Sequence, residues 1–278
     1  MTTTNPGLDT TALRALRAPR HDTDAICDRI STHLNLYDGY LAFSGGKDSL
    51  VTLDLARRVD PNIPVAFFDS GLEWPETYRY LADLREAWSL NLHIYRARHT
   101  ILELMIASGT WNHHATTRTL PDVHQILIGE PSTRAHDDTG PGELWGVRAD
   151  ESTGRDHLYR THLTREREQS CHGCCTTNTA ARNTHGGIIR RADGTVAYGP
   201  VWNWTTNDIW AHIHRHNLPA NPVYAKLERL GAPAHAHRVA AALDAAHLHH
   251  GRLVWLKRGW PDLYADLATL LPRITELT

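Results

Sequence analysis

A run of roughly 18 apolar residues, the minimum for a membrane-spanning helix, is missing from this 278-residue sequence. The apolar core of a signal peptide is missing too, because Met1 to Asp9 are polar. No membrane association and a cytoplasmic location are therefore expected. Charge of one sign is not in excess: 29 Lys and Arg face 31 Asp and Glu, a formal net charge of −2. No bulk basic charge advertises nucleic-acid binding, although a local basic groove is compatible with these totals. Cysteine is scarce, and three of the four residues (Cys171, Cys174 and Cys175, with Cys27 apart) fall within five positions. That layout does not suit a disulfide framework and suits metal or redox chemistry in a reducing compartment. Twenty histidines are scattered, and none forms a His-Glu-x-x-His zinc motif. Internal repeats and low-complexity linkers are absent.

Along the chain, short apolar runs alternate with segments of helical periodicity. A polar arm and lead-in helix occupy 1–37, the helix being capped by Asp22 or Thr23. Gly39 to Phe43 reads as a buried strand, and 50–59 as a helix. Pro64 to Phe68 is a second strand closed by Asp69-Ser70-Gly71, with a helix over 75–89. A third strand spans 92–95, and helices are expected over 101–108 and near 121–128. Leu144 to Val147 is a fourth strand. Such alternation implies a parallel sheet covered on both faces. Further on, 188–198 reads as a hairpin turning at Asp193-Gly194. A helix begins at Thr205 or Thr206 with Asp208 in its first turn, and the tail is expected to be helical over 234–248 and 261–271. Trp202, Trp204 and Trp210 read as core packing.

The chemistry lies in Ser44-Gly45-Gly46-Lys47-Asp48-Ser49, between the first strand and the following helix. Phosphate binding needs a backbone that can come close to the ligand, which Gly45 and Gly46 allow. The helix N-terminus adds free amides and a positive dipole end. Lys47 contributes a mobile positive charge, and Ser44 and Ser49 contribute hydroxyls. The spacing is neither a Walker A loop nor a dinucleotide fingerprint.

This hexapeptide resembles the loop of the ATP pyrophosphatase superfamily. Three further segments resemble the phosphoadenosine-phosphosulfate (PAPS) reductase-like branch: Phe67 to Thr77, Trp145 to Ser152, and Gly199 to Trp210. The resemblance implies an α/β fold of adenine nucleotide alpha-hydrolase-like type: a Rossmann-like, doubly wound parallel sheet over 38–225, with a C-terminal helical extension over 226–278. In such sheets the ligand sits at the carboxyl ends of the strands. Carried over, the resemblance implies that Ser44, Gly45, Gly46, Lys47, Asp48 and Ser49 hold ATP phosphates. Asp69 and Glu76 would lie near the nucleotide, and Arg148 would face the phosphates or the second substrate, its alternative being a surface ion pair with Glu151. Lys47, Asp48 and Arg148 are the expected catalytic set. An acceptor oxyanion would attack the α-phosphorus and pyrophosphate would leave, with Mg²⁺ and Lys47 stabilising the charge and Asp48 as first candidate for the metal.

The cluster Cys171-His172-Gly173-Cys174-Cys175 can bring three thiolates to one centre, an iron–sulfur cluster or zinc. A fourth ligand would be His172, Cys27, another residue or an external group. Free thiols, a redox pair and a sulfur-carrying thiol are the alternatives. Reductases of the resembling branch carry a C-terminal catalytic cysteine, whereas here none follows Cys175. Other members, including DNA-phosphorothioation enzymes, combine the loop with a cysteine cluster. The expected activity is thus ATP-dependent adenylation of an acceptor, a nucleic acid among the candidates, with a sulfur-donor protein such as a cysteine desulfurase as partner. Arg160, Arg165, Arg167, Arg182, Arg190 and Arg191 bracket the cluster and could contact a nucleic-acid backbone, or form a solvated face. The alternatives are reduction of a sulfonucleotide and a catalytically silent nucleotide-binding subunit.

Overall fold

In the computed structural model, the described residues are 10–112, 114, 122–170, 185–243 and 252–278. The apolar runs form the strands. These are β1 (Gly39–Ala42), β2 (Val65–Asp69), β3 (Leu92–Arg96), β4 (Gly142–Trp145), β5 (Ile188–Arg190) and β6 (Val196–Tyr198). They make a mixed, mostly parallel six-stranded sheet with helices on both sides, the Rossmann-like α/β arrangement expected. The chain divides into two compact units, one of 1–37, 47–61 and 143–220, the other of 38–46, 62–142 and 221–278.

In the first unit the strand order is β4-β6-β5. β5 and β6 pair antiparallel, as the Asp193-Gly194 turn predicts. Its helices are α1 (Thr10–Leu16), α2 (Thr23–Leu36), α3 (Lys47–Val59), α7 (Thr153–Ser170) and α8 (Thr206–Arg215). Asp22 caps α2 by accepting from the amides of Asp24 and Ala25. At α8, Thr205 and Asp208 close a reciprocal capping box, satisfying amides that a helix start leaves without partners. Tyr159, Trp202, Ile189 and Ala197 form an apolar core, Tyr159 coming from the 18-residue α7 that the charged sequence concealed. Trp204 is buried as well, and Trp210 is half-buried.

In the second unit the order is β3-β2-β1, all parallel. Its helices are α4 (Pro75–Trp88), α5 (Ile101–Ser108), α6 (Glu130–Thr139), α9 (Val223–Arg229), α10 (Arg252–Gly259) and α11 (Pro261–Leu270). Pro75 starts α4, where a missing N–H costs nothing. The helix expected near 121–128 is present from 123, widens to π geometry over Gln125–Gly129 and runs on into α6. Glu130 N–H bonds back to Gln125 O, and Pro131, which cannot donate, falls where that widened turn absorbs it. The helix expected from 234 is corrected over the described residues. Ala234–Ala236 is a single 3-10 turn and 237–243 is irregular. The reason is tertiary. Ala241 N–H donates to Glu73 Oε2 and Ala242 N–H to Leu72 O, and Ala241 takes φ 51°, so these amides serve another segment. Trp74, its ring centroid 3.9 Å from that of Trp260 with the planes tilted by 34°, belongs to the core that joins this segment to α10 and α11.

Candidate nucleotide site

Ser44 to Gly46 lie in the second unit and Lys47 to Ser49 in the first. Gly45 has φ 72°, a left-handed conformation that a side chain would strain. Asn221, fully buried, donates from Nδ2 to Gly45 O (3.3 Å) and to Thr77 Oγ1 (3.0 Å), and Thr77 in turn donates to Val239 O at 3.0 Å. The turn is thereby tied to the start of α4 and to the 237–243 segment. A Cβ on Gly46 would lie 3.3 Å from Ser44 Oγ and 3.4 Å from Tyr224 Oη, which places two hydroxyls at the turn. Asn221 and Tyr224 carry no motif. The only sequence signal at Asn221 is the Asn-Pro step, which marks a turn.

In the first unit, Lys47 and Asp48 form the first turn of α3. Asp48 lies where a carboxylate complements the helix dipole. Lys47 Nζ sits 2.6 Å from Asp48 Oδ2, and Arg148 Nε sits 2.6 Å from Asp48 Oδ1. The three expected catalytic residues are therefore together. Arg148, however, faces inward and is 2% exposed, whereas Lys47 and Asp48 are each 15% exposed. Its Nη1 donates to Asp150 Oδ1 and to Trp204 O (2.9 Å), and its Nη2 to Thr206 Oγ1 (3.1 Å). Burial pulls the Arg148 pKa down, but the carboxylates of Asp48 and Asp150 outweigh it, and the net shift is upward. The guanidinium is a fixed charge that orients Asp48. Glu151 accepts from Arg148 N–H (2.8 Å) and pairs with Arg155 (2.5 Å), so the Arg148–Glu151 contact is a backbone hydrogen bond and not a surface ion pair between side chains. Gly146 allows this packing, since a Cβ there would lie 2.5 Å from Ser49 N and 2.7 Å from Asp48 C.

Asp69 ends β2 and is buried. Its Oδ1 accepts from Gly71 N–H and Tyr78 Oη, both at 2.8 Å, and Arg96 Nε approaches Oδ2 at 3.4 Å. It braces the turn that follows β2. Burial and the Asp69 carboxylate push the Tyr78 phenol pKa up, so Tyr78 stays a donor. Glu76 accepts from Lys226 Nζ and Trp260 Nε1, both at 2.6 Å. Burial raises its pKa, but those two hydrogen bonds prevail and hold it below the usual carboxylate range. Glu76 thus locks α4 to α9 and to the residue preceding α11. Glu73, which the sequence reading passed over, is buried with Ser70 Oγ at 2.5 Å, and burial pushes its carboxyl pKa up.

Cys171, Cys174, Cys175, His172 and Arg182 lie outside the described residues. Cys27 donates from Sγ to Leu55 O at 3.7 Å, and burial pushes its thiol pKa up, away from the thiolate a metal requires. Among the described residues no group of three or more His, Cys, Asp or Glu gathers at one point. Both carboxylate oxygens of Asp48, the expected magnesium ligand, are taken by cations. As arranged it does not fit the metal. No helix among the described residues is long and apolar enough to cross a membrane.

Sheet, glycine turn and cationic helix start define a Rossmann-like α/β protein with a glycine-rich loop between its first strand and the following helix. The chain belongs to the phosphoadenosine phosphosulfate reductase domain family, which matches residues 39–233. It is 28% identical over 189 residues to a phosphoadenosine 5'-phosphosulfate reductase of Xylella fastidiosa (strain M12), with 66% of each chain covered. The corresponding reductase of Xanthomonas campestris pv. campestris (strain B100) is 27% identical over 192 residues, covering 66% of this chain and 65% of that one. The chain thus spans just under two thirds of these curated relatives. Among solved structures, the PAPS reductase of Candida auris in a phosphate complex aligns with a TM-score of 0.47 at 18% identity, over 78% of this chain and 94% of that one. An NH3-dependent NAD synthetase from Campylobacter jejuni aligns at 0.44 and 16%, over 90% and 92%.

Proposed function

We propose that this chain binds ATP at Ser44 to Ser49 and cleaves it between the α- and β-phosphates, adenylating an acceptor in a sulfur-transfer or nucleic-acid modification reaction. The observation that carries the reading is the Arg148–Asp48–Lys47 chain of charges at the first turn of α3, directly after a left-handed glycine turn. An acceptor oxyanion forms a bond to the α-phosphorus. The bond from that phosphorus to the bridging oxygen breaks, and pyrophosphate leaves with the electron pair. Negative charge grows on the leaving group, and the groups suited to meet it are the loop amides, the dipole end of α3 and the Lys47 ammonium. Arg148 serves as a positioning residue: through Asp48 it fixes where Lys47 can stand. No covalent intermediate with the protein is needed, so catalysis is positioning and electrostatics.

Reduction of a sulfonucleotide is the second reading, favoured by the activity named for the curated relatives. It would use the same loop, and the two are separated by products. Incubation with ATP and candidate acceptors should release pyrophosphate with AMP or an adenylate. Lys47→Ala should lower that release by about 10²-fold or more, as loss of one transition-state donor does. ADP and inorganic phosphate as main products would refute the proposal. Sulfite release from phosphoadenylyl sulfate with a dithiol reductant, without pyrophosphate release from ATP, would favour the second reading.

A further inference from the structure

Given the nucleotide binding proposed at Ser44 to Ser49, on which this rests, we infer that Tyr224 is a further phosphate-binding residue and that Tyr80 positions it. The two phenols make a hydrogen-bond relay beside the Ser44–Gly46 half of the glycine turn. All of the groups involved belong to the second unit.

The outer member of the relay is placed by the residue that holds the turn. Asn221, whose Nδ2 donates to Gly45 O, accepts the Val223 N–H on its Oδ1 at 3.0 Å and so closes an Asx turn at the start of α9. Tyr224 follows directly and is half-buried. Its Oη lies 3.4 Å from the point a Gly46 Cβ would occupy, with Ser44 Oγ at 3.3 Å and the Val239 Cγ2 methyl at 3.7 Å. Two hydroxyls and a methyl therefore face one small space against the loop backbone, and a side chain at position 46 would fill it. A hydroxyl can donate one proton while accepting others. Donation to an anionic phosphate oxygen is stronger than to a neutral acceptor.

Tyr80, on α4, is the inner member and is 5% exposed. Its ring packs along the turn: Cδ1 lies 4.0 Å from the point a Gly45 Cβ would occupy, and the ring centroid is 6.4 Å from that of Phe43. The Tyr80 hydroxyl is itself buried and has no hydrogen-bond partner among the described residues. Buried hydroxyls are nearly always paired, and an unpaired one costs stability that a phenylalanine would not. Burial and the neighbouring Tyr224 phenol push the Tyr80 pKa up, so the phenol keeps its proton and remains a neutral donor. When Tyr224 O–H donates to a phosphate oxygen, the lone pairs on Tyr224 Oη accept from Tyr80 O–H. The phosphate charge polarises both bonds in the same direction, each strengthening the other. Ligand binding thus gives the buried Tyr80 hydroxyl its partner.

Isothermal titration of the full chain with ATP, and in parallel with phosphoadenylyl sulfate, measures the relay. Tyr224→Phe should raise the dissociation constant about tenfold or more, as loss of a hydrogen bond to a charged group does. Tyr80→Phe should raise it about threefold in the wild-type background, and not at all in a Tyr224→Phe background where the relay is already cut. Ligand-free Tyr80→Phe should melt no lower than wild type, whereas a packing role for the hydroxyl would lower the melting temperature. If ATP fails to bind but phosphoadenylyl sulfate shows these losses, the ATP assignment falls and the relay stands. Unchanged affinity in either single variant, additive losses in the double variant, or a lower melting temperature for Tyr80→Phe would each overturn the relay and leave nucleotide binding at the loop intact. A chain that binds neither nucleotide overturns both.

Discussion

Replacing Arg148 with Met removes a buried cation while keeping most of its apolar stem. Four acceptors lose their donor: Asp48 Oδ1, Asp150 Oδ1, Trp204 O and Thr206 Oγ1. Asp150 is 43% exposed and Thr206 is exposed, so water compensates both and they contribute little. The cost falls on Asp48 and on the Trp204 carbonyl. Breaking a buried pair by removing one partner costs about 3–5 kcal/mol, and the partial exposure of Asp48 puts the expectation near the lower end, about 3 kcal/mol. Arg148→Lys keeps the charge but cannot reproduce the planar fork, and should lose roughly 1–2 kcal/mol. Urea unfolding with linear extrapolation measures both. A double-mutant cycle with Asp48→Asn should give a coupling of about 1–3 kcal/mol, because the two groups touch. If Arg148→Met unfolds within about 1 kcal/mol of wild type, or the two changes add without coupling, Arg148 does not hold the start of α3.

Two further outcomes follow from the geometry. Gly146→Ala should destabilise by roughly 1–3 kcal/mol in the same urea assay, since its Cβ would meet backbone at Ser49 that cannot yield without moving α3. His33 is 3% exposed, and burial, reinforced by Arg190, outweighs the backbone of Glu143 and lowers its pKa from 6.5 to about 4. Between those values the unfolded chain binds more protons than the folded one, so stability falls as pH drops from 6.5 toward 4, by up to about 3 kcal/mol. His33→Gln should flatten that slope, and an unchanged slope would exclude His33 as its source.

The glycine turn between β1 and α3 could be read from sequence because its residues are contiguous. β1, β2 and β3 were legible for the same local reason: short apolar runs closed by turn residues. α7 was not, because only Leu158, Tyr159 and Leu163 mark its inner face amid charge. The alanine-rich stretch from 234 misled in the opposite direction. Its helix propensity is high, but its amides are claimed by Glu73 and Leu72, and a tertiary hydrogen bond outweighs a few tenths of a kcal/mol of propensity per residue. At the site, Lys47 and Asp48 stand together as their adjacency suggests. Arg148 joins them, but in a holding role, because no local signal tells which way a guanidinium turns. Asn221 was invisible, lying 176 positions from the glycine whose carbonyl it binds.

The segment from Arg238 to Leu243 bears on where this family module truly ends. The family match stops at residue 233. Yet four hydrogen bonds from just beyond that point, and a fifth from Trp260, run to residues 72–77. They join Trp74 Nε1 to Arg238 O, Thr77 Oγ1 to Val239 O, Glu73 to Ala241 N–H, Leu72 O to Ala242 N–H, and Glu76 to Trp260 Nε1. Ancestry and mechanical integrity therefore draw their borders in different places. A fragment trimmed to the inherited portion would keep every recognisable motif and strip the cover from Leu72 and Trp74. Recombination that grafted this module elsewhere would have to carry the later residues with it to keep that cover.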